Sequence, residues 1–209
     1  SLLTGLMTFV ASAGTVLLLP FFLQDILELS PRTAGLLMAV NPAAIGIFAP
    51  ISGALSDRIG SRKLTTLGLF VLIIGYWSVS GIHKDTSLFE FALRALPIGI
   101  GMGIFQSPNN SVVMGAAPRG RLGVVSGMLS ISRTLGQMIG ISLVSALWMI
   151  GTRRAFVAGL TGPYQAEVAG FQETALLLVA WISVAFSLSL WALIQEQRNL
   201  QPKKVSEAQ

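Results

Sequence analysis

Two sets of residues in this sequence could do chemistry, and neither contains a nucleophile. The first is a charged cluster, Gly53-Ala-Leu-Ser-Asp57-Arg58-Ile-Gly60-Ser-Arg62-Lys63, set between two apolar runs of a chain that is only 11% charged. The second is a scatter of polar side chains inside apolar stretches: Arg133, Gln137, Gln106, Asn109 and Asn41. A carboxylate and several cations in one connector can make and break ion pairs, and amides with a guanidinium at membrane depth can hold a polar guest by hydrogen bonds. Bond cleavage needs other residues. The chain has no cysteine, and its one histidine, His83, falls in a connector. Thiolate chemistry, disulfides and a histidine–carboxylate cluster for metal or general-base work are therefore not expected. We expect no enzyme and no cofactor.

The elements that position these residues are membrane spans. With 53% hydrophobic residues and a mean hydropathy of +0.72, the chain lacks the charged quarter of a soluble domain. Its apolar blocks are about 20 residues or longer, enough to cross a bilayer core of about 30 Å. The spacing predicts six helical spans at residues 2–23, 33–55, 64–82, 88–116, 122–150 and 174–194, and no ten-residue alternation suggests a β-barrel. The reading is an all-α membrane protein, a six-helix bundle over 1–196 and a tail over 197–209. Ser30 and Pro31 read as the N-cap and first turn of the second span, and Gly151 to Glu173 as the longest loop. The start at Ser1, apolar at once and without a basic leader, suggests a fragment rather than a signal peptide.

Charge orients the bundle. One side carries Arg58, Arg62, Lys63, Arg119, Arg121, Arg198, Lys203 and Lys204, and the other Arg32, Lys84, Arg153 and Arg154. The positive-inside rule places the first side, and the C-terminus, in the cytoplasm of a cell inner membrane. The net charge of +5 is accounted for by these flanks; no basic helix or basic–aromatic stripe points to nucleic acid.

Asp57 falls at the C-terminal end of a helix, where the macrodipole disfavours a carboxylate, so it needs a cation or another helix's N-terminus as partner. Gly53 permits close helix contact, and Gly60 a tight turn that would return Arg58 and Arg62 toward Asp57. A positive-inside anchor would need the cations but explains neither Asp57 nor the glycines. Arg133 lies eleven positions into its span, ~16 Å deep at 1.5 Å per residue. An arginine there faces a cavity or a partner, so a substrate or coupling role and a structural role both stand. Gln137, four residues on, is its partner or a second lining group. Gln106, Asn109 and Asn110 sit near Pro108, which is expected to kink its span, as Pro42 is beside Asn41. The same choice between cavity lining and interhelical hydrogen bonding applies to each amide. Gly123/Gly127 and Gly136/Gly140 read as packing faces.

The connector wording G-x-L-x-D-R-x-G-x-R-K, between the second and third of six spans, closely resembles the loop motif of the major facilitator superfamily. Leu17 to Leu37 and Ser126 to Gly140 resemble the C-terminal half of its fourteen-span drug–proton antiporters. The resemblance implies one half of that fold, two inverted three-helix repeats, in which Gly53, Asp57, Arg58, Gly60, Arg62 and Lys63 form a cytoplasmic gate. GSRK at Gly60 and GTRR at Gly151 would be a repeat echo on opposite faces. It further implies proton-coupled efflux of drugs or other amphipathic small molecules by alternating access. The partners would be the lipid bilayer, a small-molecule substrate and an N-terminal six- or eight-span half of the same polypeptide. An amide-lined cavity suits bulky apolar or cationic compounds, and the deep carboxylate that coupling requires is absent here and expected in the other half. The alternatives are a non-transporting sensor or assembly subunit and a six-span homodimeric transporter.

Overall fold

Each helix starts or stops where the sequence supplies a physical reason. A computed structural model describes residues 1–118, 120–162 and 164–206, with side chains throughout except at 197 and 199–206. Its helices are α1 (Leu2–Phe21), continued by a π-helical turn at Phe22–Ile26, α2 (Pro31–Met38), α3 (Val40–Ile59), α4 (Ser61–Val79), α5 (Leu88–Gly115), α6 (Leu122–Val157) and α7 (Gln165–Ser206). α2 and α3 together make one span, so six helices are long and apolar enough to cross a membrane.

Ser30 caps α2, accepting from the Thr33 N–H at 3.2 Å, with Pro31 opening the helix. The break between Met38 and Val40 lies just before Pro42 in the chain. Proline has no N–H for the Met38 carbonyl four residues back, and its ring crowds that carbonyl. α5 runs unbroken through Pro97 and Pro108. Gly60 alone links α3 to α4, at φ 97°, a conformation that L side chains avoid.

Two differences from the sequence reading concern the last two spans. The stretch read as a loop over Gly151–Glu173 is mostly helix: α6 continues to Val157 and α7 begins at Gln165. At 36 residues α6 is ~54 Å long, well beyond a bilayer core, so Arg153 and Arg154 ride on a helical extension. The backbone read as a tail likewise continues α7 to Ser206. Arg119 lies outside the described residues, as do the side chains of Lys203 and Lys204.

α5 packs on α4 and α3, α6 on α1 and α7, and α7 also on α4 and α1. The apolar core lies among α1, α4, α5 and α7, where Phe22, Tyr76, Phe91, Phe105 and Ile182 are fully buried and Phe22 stacks on Phe171 at 4.2 Å. Glycines set the helix separations. A Cβ on Gly101 would lie 2.8 Å from Leu72 backbone, and one on Gly103 3.2 Å from Ala49 backbone, so α5 touches α4 and α3 through opposite faces. At Gly136 a Cβ would meet the Leu6 carbonyl at 2.8 Å, and at Gly140 it would overlap Val10 backbone, which seats α6 on α1. Gly123 and Gly127, read as the same kind of pair, meet nothing within 4 Å.

We call the end of the bundle that carries Gly60 the near end and the opposite end the far end. Gly60–Lys63 lies at the near end and Gly151–Arg154 at the far end, packed against Gly170 and Glu173 of α7.

Candidate functional site

The near-end connector is built by close approach of α3 to α5. Ser52 Oγ donates to the Gly103 carbonyl at 3.0 Å, and a Cβ on Gly53 would come 2.9 Å from Ser107 Oγ. Buried Ser56 donates to the Gly53 carbonyl at 2.7 Å, closing the last turns of α3 before Gly60 reverses the chain. Asp57 and Arg58 then point to the exterior and Arg62 and Lys63 sit in the first turn of α4, so that the α4 N-terminus carries charge of the disfavoured sign and the last turn of α3 carries one disfavoured charge, Asp57, beside the favoured Arg58. A carboxylate at a helix C-terminus and cations at an N-terminus each lose about 0.3–1 kcal/mol.

The expected return of Arg58 and Arg62 toward Asp57 does not occur. Arg62 Nε instead lies 3.1 Å from Glu196 Oε2 of α7, and among the described residues Asp57 has no ion pair. A one-residue turn sends the two helices apart too quickly for i,i+5 side chains to meet. The Glu196 partner lies 134 positions away and had no local signal in the sequence.

The second candidate set gathers on α1. Asn109 is 1% exposed and its amide nitrogen lies against Gly5, where a Cβ would come to 3.2 Å. One turn further along α1, the Arg133 guanidinium lies over the Phe9 ring, 5.1 Å from its centroid. α5 and α6 thus bring a neutral amide and a cation to successive turns of one α1 stripe. Gln137 makes no hydrogen bond with Arg133; it lines a groove of about 550 Å³ with Phe9, Ser12, Ala13, Val16 and Ile141. Gln106 is half-buried on α5, one turn before Asn110. Asn41 does not join this group. Its backbone packs on Gly99, ten residues from Asn109 along α5, or ~15 Å toward the far end.

Among the described residues four buried side-chain polar atoms lack a hydrogen-bond partner: Oδ1 of Asn41, Asn109 and Asn110, and Nε of Arg133. Each such atom costs about 1–3 kcal/mol when left unpaired. The Phe9 contact returns about 0.5–2 kcal/mol of the 2.5–3.5 kcal/mol that a mid-span arginine costs. Among the described residues no cluster of His, Asp or Glu is placed to hold a metal ion.

Arg94, by contrast, is saturated. It donates to Glu90 through Nε at 2.9 Å and Nη2 at 2.8 Å, and to the Ser78 carbonyl at 3.0 Å, so its role is to fix α5 to α4. The far end is closed by three connectors. Lys84 lies 3.9 Å from Glu28 and 4.6 Å over the Tyr164 ring, while Gln172 donates to the Ile82 carbonyl at 2.8 Å and to His83 Nδ1 at 3.0 Å. Arg154 pairs with Glu173 at 2.9 Å.

A family model described as Major Facilitator Superfamily matches residues 1–208. The chain is similar to an uncharacterized transporter of Escherichia coli, YebQ, at 36% identity over 70% of this chain and 32% of that protein. It is also similar to the riboflavin transporter RibZ of Clostridioides difficile, at 31% over 63% of the chain and 29% of that protein. The multidrug resistance protein Stp of Mycobacterium tuberculosis is 32% identical over 69% of the chain and 27% of its own length. A solved POT family transporter in complex with 5-aminolevulinic acid superposes with a TM-score of 0.69 at 20% identity, covering 91% of this chain and 36% of the other, a likeness of fold. The chain spans about a third or less of the curated relatives it matches.

Proposed function

The chain belongs to the Major Facilitator Superfamily, a family of membrane transporters, and from that premise we propose that it is the C-terminal half of a secondary transporter that expels amphipathic small molecules in exchange for protons. The observation that carries this is the uneven burial of its spans. The apolar window of the first span is 61% buried, whereas those of the second and sixth are 17% and that of the fifth 22%. The thinly covered faces of α3 and α6 flank the polar stripe on α1. A second bundle seated on them would enclose Arg133, Gln137, Gln106 and Asn109 in a cavity at the junction, the place where alternating-access carriers bind their cargo. Asn41 would line the same junction nearer the far end.

In this reading Gly53, Asp57, Arg58, Gly60, Arg62 and Lys63 form a cytoplasmic latch, with Asp57 released to a partner on the other half and the C-terminus on the cytoplasmic side. The relatives named for multidrug resistance and for riboflavin transport support a small organic cargo, and their greater length supports a companion half in the same polypeptide. The coupling carboxylate would belong to that half. The test is efflux of ethidium from cells expressing the intact gene product. Accumulation should fall severalfold against an empty vector, and a protonophore should restore it. Unchanged accumulation across a panel of amphipathic dyes would sink the proposal.

A further inference from the structure

We infer that the α1 stripe selects an anionic aromatic molecule, with Arg133 as its charge contact and Phe9 as its ring contact. This rests on the transport reading above and narrows its cargo. The amide lining alone would suit neutral or cationic compounds; the charge at the site decides otherwise.

Arg133 is set eleven residues inside α6, whereas the other described charges of the bundle gather toward its two ends. Arg62, Lys84, Arg94 and Arg154 each have a carboxylate within 4 Å, and Arg133 has none among the described residues. Its Nε is buried without an acceptor, so this donor is withheld from solvent and from the protein alike. A half-buried guanidinium without a carboxylate presents a rigid fork suited to a carboxylate or sulfonate, and it repels a second cation brought close to it.

The neighbouring groups fit the remainder of such a molecule. Phe9 supplies a ring beside the cation, and the groove of about 550 Å³ that begins at Phe9 is of the size that holds a drug-sized ligand. Apart from Ser12 and Gln137 that groove is lined by apolar side chains, and it contains no carboxylate to neutralise a cationic guest.

The inference is tested with two permanently charged probes that share a ring and differ in sign, a naphthalenesulfonate and a naphthyltrimethylammonium. The intact transporter is reconstituted in proteoliposomes under an imposed pH gradient. The wild type should move the sulfonate in preference to the ammonium. Arg133→Gln should lower sulfonate transport by roughly tenfold, the scale of one lost charge-assisted contact, and leave ammonium transport unchanged or raised. Arg133→Lys should lose less sulfonate transport than Arg133→Gln, because the charge is kept while the planar fork is lost. Preference for the ammonium, or equal losses of both probes in Arg133→Gln, would overturn the inference while leaving the transporter standing. Equal losses would mark Arg133 as the partner of a carboxylate on the other half. Failure of both probes to move under the gradient would count against both readings.

Discussion

The two ends of the bundle are built from the same kinds of residue and finished differently. At the far end, Lys84, Arg94 and Arg154 each have a carboxylate, and Gly151 and Gly170 bring α6 and α7 into contact. At the near end Arg62 alone is paired among the described residues, Asp57, Arg58 and Lys63 are exposed, and Gly123 and Gly127 touch nothing. Single exposed ion pairs add little, about 0–1 kcal/mol each, so the far end is held chiefly by its backbone contacts. What the contrast teaches is that most of the far-end cations and glycines named here find partners within the described residues, and most of the near-end ones do not.

The sharpest way to break that contrast is to add a side chain at each end. Gly170→Val places a Cβ in overlap with Thr152 and should cost about 3 kcal/mol, seen as loss of monodisperse protein or a large drop in Tm in detergent. Gly127→Val, in open space within this chain, should leave the stability of this bundle unchanged yet impair transport by the intact protein. Equal stability losses at the two sites would erase the distinction. Next in size is Asp57→Asn, which should reduce transport by about tenfold while shifting Tm little or upward, since the α3 terminus is relieved of an unfavourable charge. Untouched transport would remove Asp57 from the latch. The smallest effect is expected of Lys84→Met, about 0.5–1 kcal/mol of stability with transport retained, measured by thermal melting. A collapse of the fold would show that the far end depends on its charges after all.

Much of this arrangement was legible in the sequence because its causes are local. Six apolar blocks, Ser30 ahead of Pro31, and Gly60 between two helices each act through near neighbours, and the bundle has them where they were expected. The far-end extensions were not legible. Arg153, Arg154, Glu167 and Glu173 depress hydropathy, yet charged residues are good helix formers and the pair Arg154–Glu173 spans the two extensions. Hydropathy reports the membrane, and helices outlast it. Within α6, Gly123/Gly127 and Gly136/Gly140 have the same spacing and opposite surroundings, because what a glycine meets depends on another helix. The stripe on α1 was missed for a related reason. Gly5 and Phe9 are ordinary span residues until Asn109 and Arg133 are brought to them, and the partnerless atoms of those two are visible only in three dimensions.

Gly60 has a mechanical consequence. A linker of one residue holds no slack, so displacement of the end of α3 must be taken up within about 4 Å of chain or passed on whole to the first turn of α4. There Arg62 grips Glu196, and α7 would feel the pull as well. A thinly buried helix is thereby geared directly to two others. Inserting two or three flexible residues after Gly60 would uncouple that gearing while leaving every charge in place.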